Sequence, residues 1–128
     1  MLSDNLFDIQ SFTCSDGINS EQHFNAVVLL NANHQIFDGH FPGNPVVPGV
    51  CQVQIVKKLV GKALNHPVRL YESDNIKFLS MIDPRGNPKL EFNIGIKQIA
   101  EKQYAVNAVI GSGSSVFLKF KGKFEFEK

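Results

Sequence analysis

His34–Gln54 reads HQIFDGHFPGNPVVPGVCQVQ. Within it, Pro42, Pro45 and Pro48 recur every third residue, with Gly39, Gly43 and Gly49 between or beside them. Proline fixes φ and glycine permits positive φ or close backbone approach, so Asp38–Gly49 reads as a stiff connection. At Pro48-Gly49 the pattern changes, and a different periodicity begins.

From Val50 to about Leu64 the spacing predicts a helix. On a helical wheel Cys51, Val53, Ile55, Val56, Leu59, Val60 and Ala63 form a wide apolar arc, with Gln54, Lys57, Lys58, Gly61 and Lys62 opposite. A helix so apolar must be largely enclosed. Gln52 falls inside the apolar arc and needs a hydrogen-bond partner if buried.

Beyond the helix, period-two alternation predicts strands. Phe92, Ile94 and Ile96 mark one, and Tyr104, Val106, Ala108 and Ile110 mark another. In the last stretch Val116, Leu118, Phe120, Phe124 and Phe126 share the dry parity, on which Gly122 also sits. Gly111-Ser112-Gly113 and Ala100-Glu101-Lys102 read as the joining turns. Upstream, Phe24, Ala26, Val28 and Leu30 suggest a half-buried strand, and Ile76–Ile82 a further one, ended by the turn residues Asp83–Pro88. A short N-terminal helix over Leu2–Phe7 is the remaining expectation. One long helix with about five strands joined by short connections describes an α+β domain, an antiparallel sheet wrapped on a central helix.

Composition agrees with one folded domain spanning 1–128. The 128 residues are 43% hydrophobic and 20% charged, with no Pro/Gly/Ser-rich break. A net charge of +1 argues against nucleic acid as the main partner. No apolar run is long enough to span a membrane, and MLSDNLFDIQ lacks the basic start of a secretory signal. Cys14 and Cys51 lie far apart without a CxxC partner, which suggests a reduced, cytoplasmic protein. The four histidines show no metal-ligand spacing.

Chemistry concentrates in the proline-rich connection. His40 titrates near neutral pH and precedes a helix N-terminus, whose free N–H groups favour developing negative charge. Base and oxyanion hole is one reading of that pairing. The other is a shaped helix entrance with His40 as an ordinary hydrogen-bonded loop residue.

His40-Phe41-Pro42-Gly43, Pro45 and Pro48-Gly49 together resemble the H-F-P-G-x-P-x-x-P-G pattern of the hot-dog-fold 3-hydroxyacyl-[acyl-carrier-protein] dehydratases. Asn75–Leu79 and Asp83-Pro84 extend the resemblance more loosely, and the order of elements carries it over nearly the whole chain. It implies a hot-dog fold and a lyase of fatty-acid or related acyl-chain biosynthesis, which removes water from a 3-hydroxyacyl thioester. The substrate would be an acyl-carrier-protein or CoA thioester, handled without metal or cofactor. By the same resemblance His40 is the base, the Gly49 N–H polarises the thioester carbonyl, and Phe41, Pro42, Val50 and Phe78 lie against substrate. The family's third group, a helix Glu or Asp from the other subunit of a dimer, falls at Gln54.

Glutamine cannot deliver a proton at ordinary pH, and general acid–base assistance is worth roughly 10²–10⁴-fold. Three functions therefore compete. The first is a dehydratase. The second is a thioester-binding or partner subunit that relies on an acid-bearing paralogue in a heterodimer, and the third is a hot-dog thioesterase. Asp38, Glu72 and Asp74 are candidate substitutes for the acid, though such residues are more often surface or turn groups. Cys51 reads as a buried thiol. Lys57, Lys58 and Lys62 could meet an acidic carrier but usually mark a solvated face. Phe78 and Phe92 could line an acyl tunnel, though core packing is the safer assignment, and His23, His34 and His66 take no role. An exposed edge along Val116–Glu127, together with the apolar helix, suggests a homodimer.

Overall fold

The computed structural model describes residues 6–16, 20–38 and 45–128. Its six strands are β1 (Phe7–Asp16), β2 (Gln22–Leu30), β3 (Val68–Phe78), β4 (Lys89–Ala100), β5 (Gln103–Ser112) and β6 (Ser115–Phe126). One helix, α1 (Gly49–Leu64), separates β2 from β3. The strands form a single sheet in the order β1-β2-β4-β5-β6-β3, antiparallel throughout. This is the hot-dog fold, with α1 as the filling.

Alternation along each strand gives the sheet one dry face. A row of paired residues, Phe24, Ile94, Ala108, Phe120 and Ile76, crosses five strands. The next row is Ala26, Phe92, Ile110, Leu118 and Phe78. Against these rows α1 buries Cys51, Ile55, Val56, Leu59 and Val60, each at most 2% exposed. At roughly 1.5–3 kcal/mol per large apolar side chain, this stripe makes α1 part of the core. The helix stops at Asn65, which adopts the left-handed conformation at φ 55° and returns its N–H to Gly61 and Lys62.

Several strand details depart from simple alternation. In β6, Ile110 pairs with Leu118 but Gly111 pairs with Val116, so Phe117 is an extra, bulged residue. Phe117 and Leu118 are therefore both buried, and Val116, expected on the dry face, is 38% exposed. The β5–β6 turn is narrower than Gly111–Gly113: only Gly113 and Ser114 lie between the strands, and Gly113 takes φ 59°.

Ile76–Ile82 is not a strand in its own right. It holds the end of β3, which begins at Val68 and stops at Phe78. Register shifts between Leu70 and Glu72 and between Ser73 and Asn75 break the parity of β3, which hid its first two-thirds from period-two reading. The expected N-terminal helix lies mainly outside the described residues, and Phe7 already belongs to β1.

Two parts of the dimer argument fail on the fold. β6 is flanked by β5 and β3, so the sheet's edges are β1 and β3. The apolar arc of α1 is also covered within one chain.

Candidate functional site

The start of α1 carries no side-chain cap. Pro48 is the N-cap and offers no side-chain acceptor, and the first turn holds no acid. Its carbonyl takes the N–H groups of Cys51 and Gln52 at 3.0 and 3.1 Å. Among the described residues, the N–H groups of Gly49 and Val50 are left without a partner. Two free donors at the positive end of a helix make a place suited to an oxygen that gains negative charge.

Phe78 roofs this place. A Cβ at Gly49 would sit 2.7 Å from the ring Cζ and 2.9 Å from Cε1, so only glycine accommodates the ring where it lies. Phe78 nevertheless remains 54% exposed, at the end of the edge strand β3. Val50, Leu79 and Met81 are 69%, 50% and 75% exposed, so the helix start and the chain after β3 present open apolar surface.

Backbone bonds hold the approach to α1. Val47 donates its N–H to the Ile82 carbonyl at 2.9 Å, and its own carbonyl accepts from the Gln52 side-chain amide at 3.2 Å. Gln52 thus has the partner its burial demanded, but only at Nε2; its Oε1 has none among the described residues. After Ile82, the Asp83 carboxylate accepts from the N–H groups of Arg85 and Gly86 at 2.8 and 3.4 Å, shaping the turn. The Arg85 N–H bond foremost, with Arg85's charge, holds the Asp83 carboxyl below its usual range.

Of the residues picked out by sequence, the structure brings Gly49, Val50 and Phe78 to one place. His40, Phe41 and Pro42 lie outside the described residues. Gln54 stands apart from Gly49, about 140° round the helix and roughly 7.5 Å along it. It is half-buried in a groove of about 660 Å³ with Lys57, Lys58, Gly61, Lys62, His66 and Glu127. Glu127 escaped the sequence reading because it enters the groove from the end of the chain, and it is tied to Lys57 at 3.6 Å.

The candidate substitute acids are occupied or exposed. Glu72 and Asp74 both hold Lys123, at 2.9 and 3.1 Å. Shared hydrogen bonding, first with Glu72 and then with Lys123, lowers the Asp74 carboxyl. Asp38 is exposed.

Cys51 is buried, and desolvation pushes its thiol up, the opposite of an activated thiolate. Phe92 is core at 1% exposure. His34 is more buried than its loop setting suggested: its Nδ1 accepts from the Ile36 N–H and caps the short 3₁₀ turn Gln35–Phe37. Lys62 lies over the Phe12 ring at 5.6 Å. Among the described residues no group of three or more His, Cys, Asp or Glu side chains is placed to hold a metal. No described helix is long and apolar enough to cross a membrane.

The model of ApeI-like proteins, described as ApeI dehydratase, matches residues 17–114. This chain belongs to the ApeI-like dehydratase family. Proteins described as 3-hydroxyacyl-[acyl-carrier-protein] dehydratases share sequence with it. It is 37% identical over 70 residues to the 3-hydroxyacyl-[acyl-carrier-protein] dehydratase FabZ of Clostridium acetobutylicum, covering 48% of this chain and 49% of that protein. It is 28% identical over 123 residues to the FabZ of Ruegeria sp., covering 96% and 68%. The first match thus spans about half of the curated relative's length.

Solved structures carry the same fold. A protein described as putative thioesterase yhdA, from Lactococcus lactis, superposes with a TM-score of 0.71 at 13% identity, over 98% of this chain and 97% of its own. A chain of the dehydratase heterocomplex ApeI:P of Xenorhabdus doucetiae gives 0.58 at 18% identity, over 88% and 94%. At such identities the likeness is one of fold, and it does not separate dehydratase from thioesterase.

Proposed function

We propose that this chain is a 3-hydroxyacyl-thioester dehydratase of fatty-acid or related acyl-chain synthesis, binding the thioester and supplying the base. The observation that carries the reading is the pair of free N–H groups at Gly49 and Val50, roofed by the Phe78 ring. A thioester carbonyl oxygen set there accepts hydrogen bonds as the α-proton leaves and charge moves onto it. His40, which precedes the helix in the proline-rich connection, takes that proton in this reading, and Phe41 and Pro42 flank the acyl chain with Val50 and Phe78. No metal or cofactor enters.

The elimination also needs a proton for the departing hydroxyl. The family acid falls at Gln54, which lies well round the helix from Gly49 and so cannot serve the same chain's oxyanion site. A second copy paired along the β3 edge would cover Phe78, Leu79 and Met81 and bring another chain's groups to the site. A homodimer then carries glutamine in both sites and turns over slowly. Membership in a family of dehydratases supports this lyase reading over hydrolysis.

The second reading is a partner subunit. Gln54 favours it, because a heterodimer with an acid-bearing paralogue would unite His40 of this chain with the paralogue's carboxylate. That a fold relative is one component of a dehydratase heterocomplex supports the arrangement. The test is to incubate the protein, alone and co-expressed with such a paralogue, with 3-hydroxyacyl and 2-enoyl carrier-protein thioesters. Hydration, dehydration and free thiol are followed together. Interconversion supports the dehydratase, activity only in the pair supports the partner subunit, and thiol release alone supports a thioesterase and overturns both.

A further inference from the structure

Gln52 is the one polar side chain in the buried stripe of α1. It is 3% exposed and lies between the core residues Cys51 and Ile55. An aliphatic residue would pack there without a polar group. The amide instead leaves Oε1 buried and unpartnered among the described residues, a loss of roughly 1–3 kcal/mol for such a group. What it gains is the bond from Nε2 to the Val47 carbonyl at 3.2 Å.

That bond falls at a decisive point of the backbone. Val47 is 1% exposed and is already pulled from the other side by the Ile82 carbonyl at 2.9 Å. Pro48 follows and has no N–H of its own, while its carbonyl is engaged by Cys51 and Gln52. The peptide that carries the Gly49 N–H is thus held at its own carbonyl by the Cys51 and Gln52 N–H groups, and the Val47 backbone that leads into it is held by Ile82 and by the Gln52 amide. The polar side chain of the first turns satisfies a carbonyl upstream and leaves the Gly49 and Val50 donors free, where an ordinary cap would consume a donor.

We infer that Gln52 is a positioning residue. Its amide fixes the Val47–Gly49 backbone so that the free N–H of Gly49 is aimed at the thioester oxygen. This rests on the reading of Gly49 as the carbonyl-polarising donor. Preorganised donors lose effect steeply when misaligned, so loosening this clamp lowers the chemical step more than binding.

The test uses the full chain in its native assembly and a 2-enoyl pantetheine thioester with an isotopically labelled carbonyl. Binding to wild type should shift the carbonyl stretch to lower frequency. In Gln52→Leu about half or more of that shift should disappear, with affinity changed less than about threefold and any hydration rate down about tenfold. Gln52→Glu, which keeps the shape if leucine impairs folding, should regain the shift at acid pH. There a protonated carboxyl can donate to the Val47 carbonyl, and the shift should fade as pH rises and the proton is lost. A full shift in folded Gln52→Leu, or a Gln52→Glu shift independent of pH, would reduce Gln52 to packing and overturn the inference. An unshifted carbonyl in bound wild type would instead overturn the reading of Gly49, and the role of Gln52 with it.

Discussion

The ring of Phe78 occupies the space in which a side chain on Gly49 would lie, with Cζ 2.7 Å from an ideal Cβ. The ring belongs to the far end of a side chain that is 54% exposed, so it can swing outward. Gly49→Ala should therefore fold, with stability changed by about 1 kcal/mol or less, since alanine is the better helix former. It should nevertheless displace the ring from the helix start and weaken acyl-thioester binding about tenfold. Adding Phe78→Ala removes the clash, so the double variant should lose less than the sum of the two singles, as a double-mutant cycle on binding would show.

Gln54→Glu should raise hydration or dehydration by about tenfold or more, because it restores a group able to protonate the leaving hydroxyl. Steady-state rates with carrier-protein thioesters check it. An unchanged rate in a folded variant would remove Gln54 from the site.

Gly122 is closed in by structure that cannot move aside cheaply. A Cβ there would meet the Glu72 carbonyl oxygen at 3.0 Å and the Phe120 ring at 2.8 Å. Gly122→Ala should therefore destabilise the fold by about 1–3 kcal/mol, read as a lower denaturation midpoint, despite alanine's smaller backbone entropy loss.

Asp83 gives the fold an acid-sensitive turn. Its carboxyl is held below the usual range in the folded state, so its contribution is present above the unfolded value, roughly pH 4. It is lost as pH falls through the lower folded value. Asp83→Asn should flatten this part of the acid limb of a stability–pH curve by lowering stability modestly at neutral pH, where the ionised carboxylate contributes, and changing little at low pH, where that contribution is already lost.

The sequence showed most where a single face is dry. α1 was readable within one residue because its arc from Cys51 to Val60 repeats cleanly, and β2, β4 and β5 because their dry residues alternate without interruption. β1 and most of β3 escaped, since both are edge strands with few buried positions, and Tyr71 and Asp74 interrupt the alternation of β3. Phe117 could not be foreseen as a bulge, because Val116 fits the same parity as Leu118 and only the pairing with Gly111 shows which one turns out. At the site, Gly49 and Phe78 were named from resemblance, but their contact was not legible: it joins residues 29 positions apart through the edge position of β3. Gln52 was flagged for burial, and its bond to Val47 emerged only from the fold.

Whether His40 and residue 54 meet across two chains is tested most directly by mixing subunits. Wild-type chains are combined with chains carrying both His40→Ala and Gln54→Glu, under conditions where subunits exchange. Hydration of a 2-enoyl carrier-protein thioester is then measured. If each site draws residue 40 from one chain and residue 54 from its mate, the mixed dimer holds one site in which the wild-type His40 faces the carboxylate introduced on the other chain. Activity per mixed dimer should then approach about half that of the Gln54→Glu homodimer. The homodimer of the doubly substituted chain should be inactive. A mixture no more active than its wild-type component, once exchange has been verified, would contradict the account.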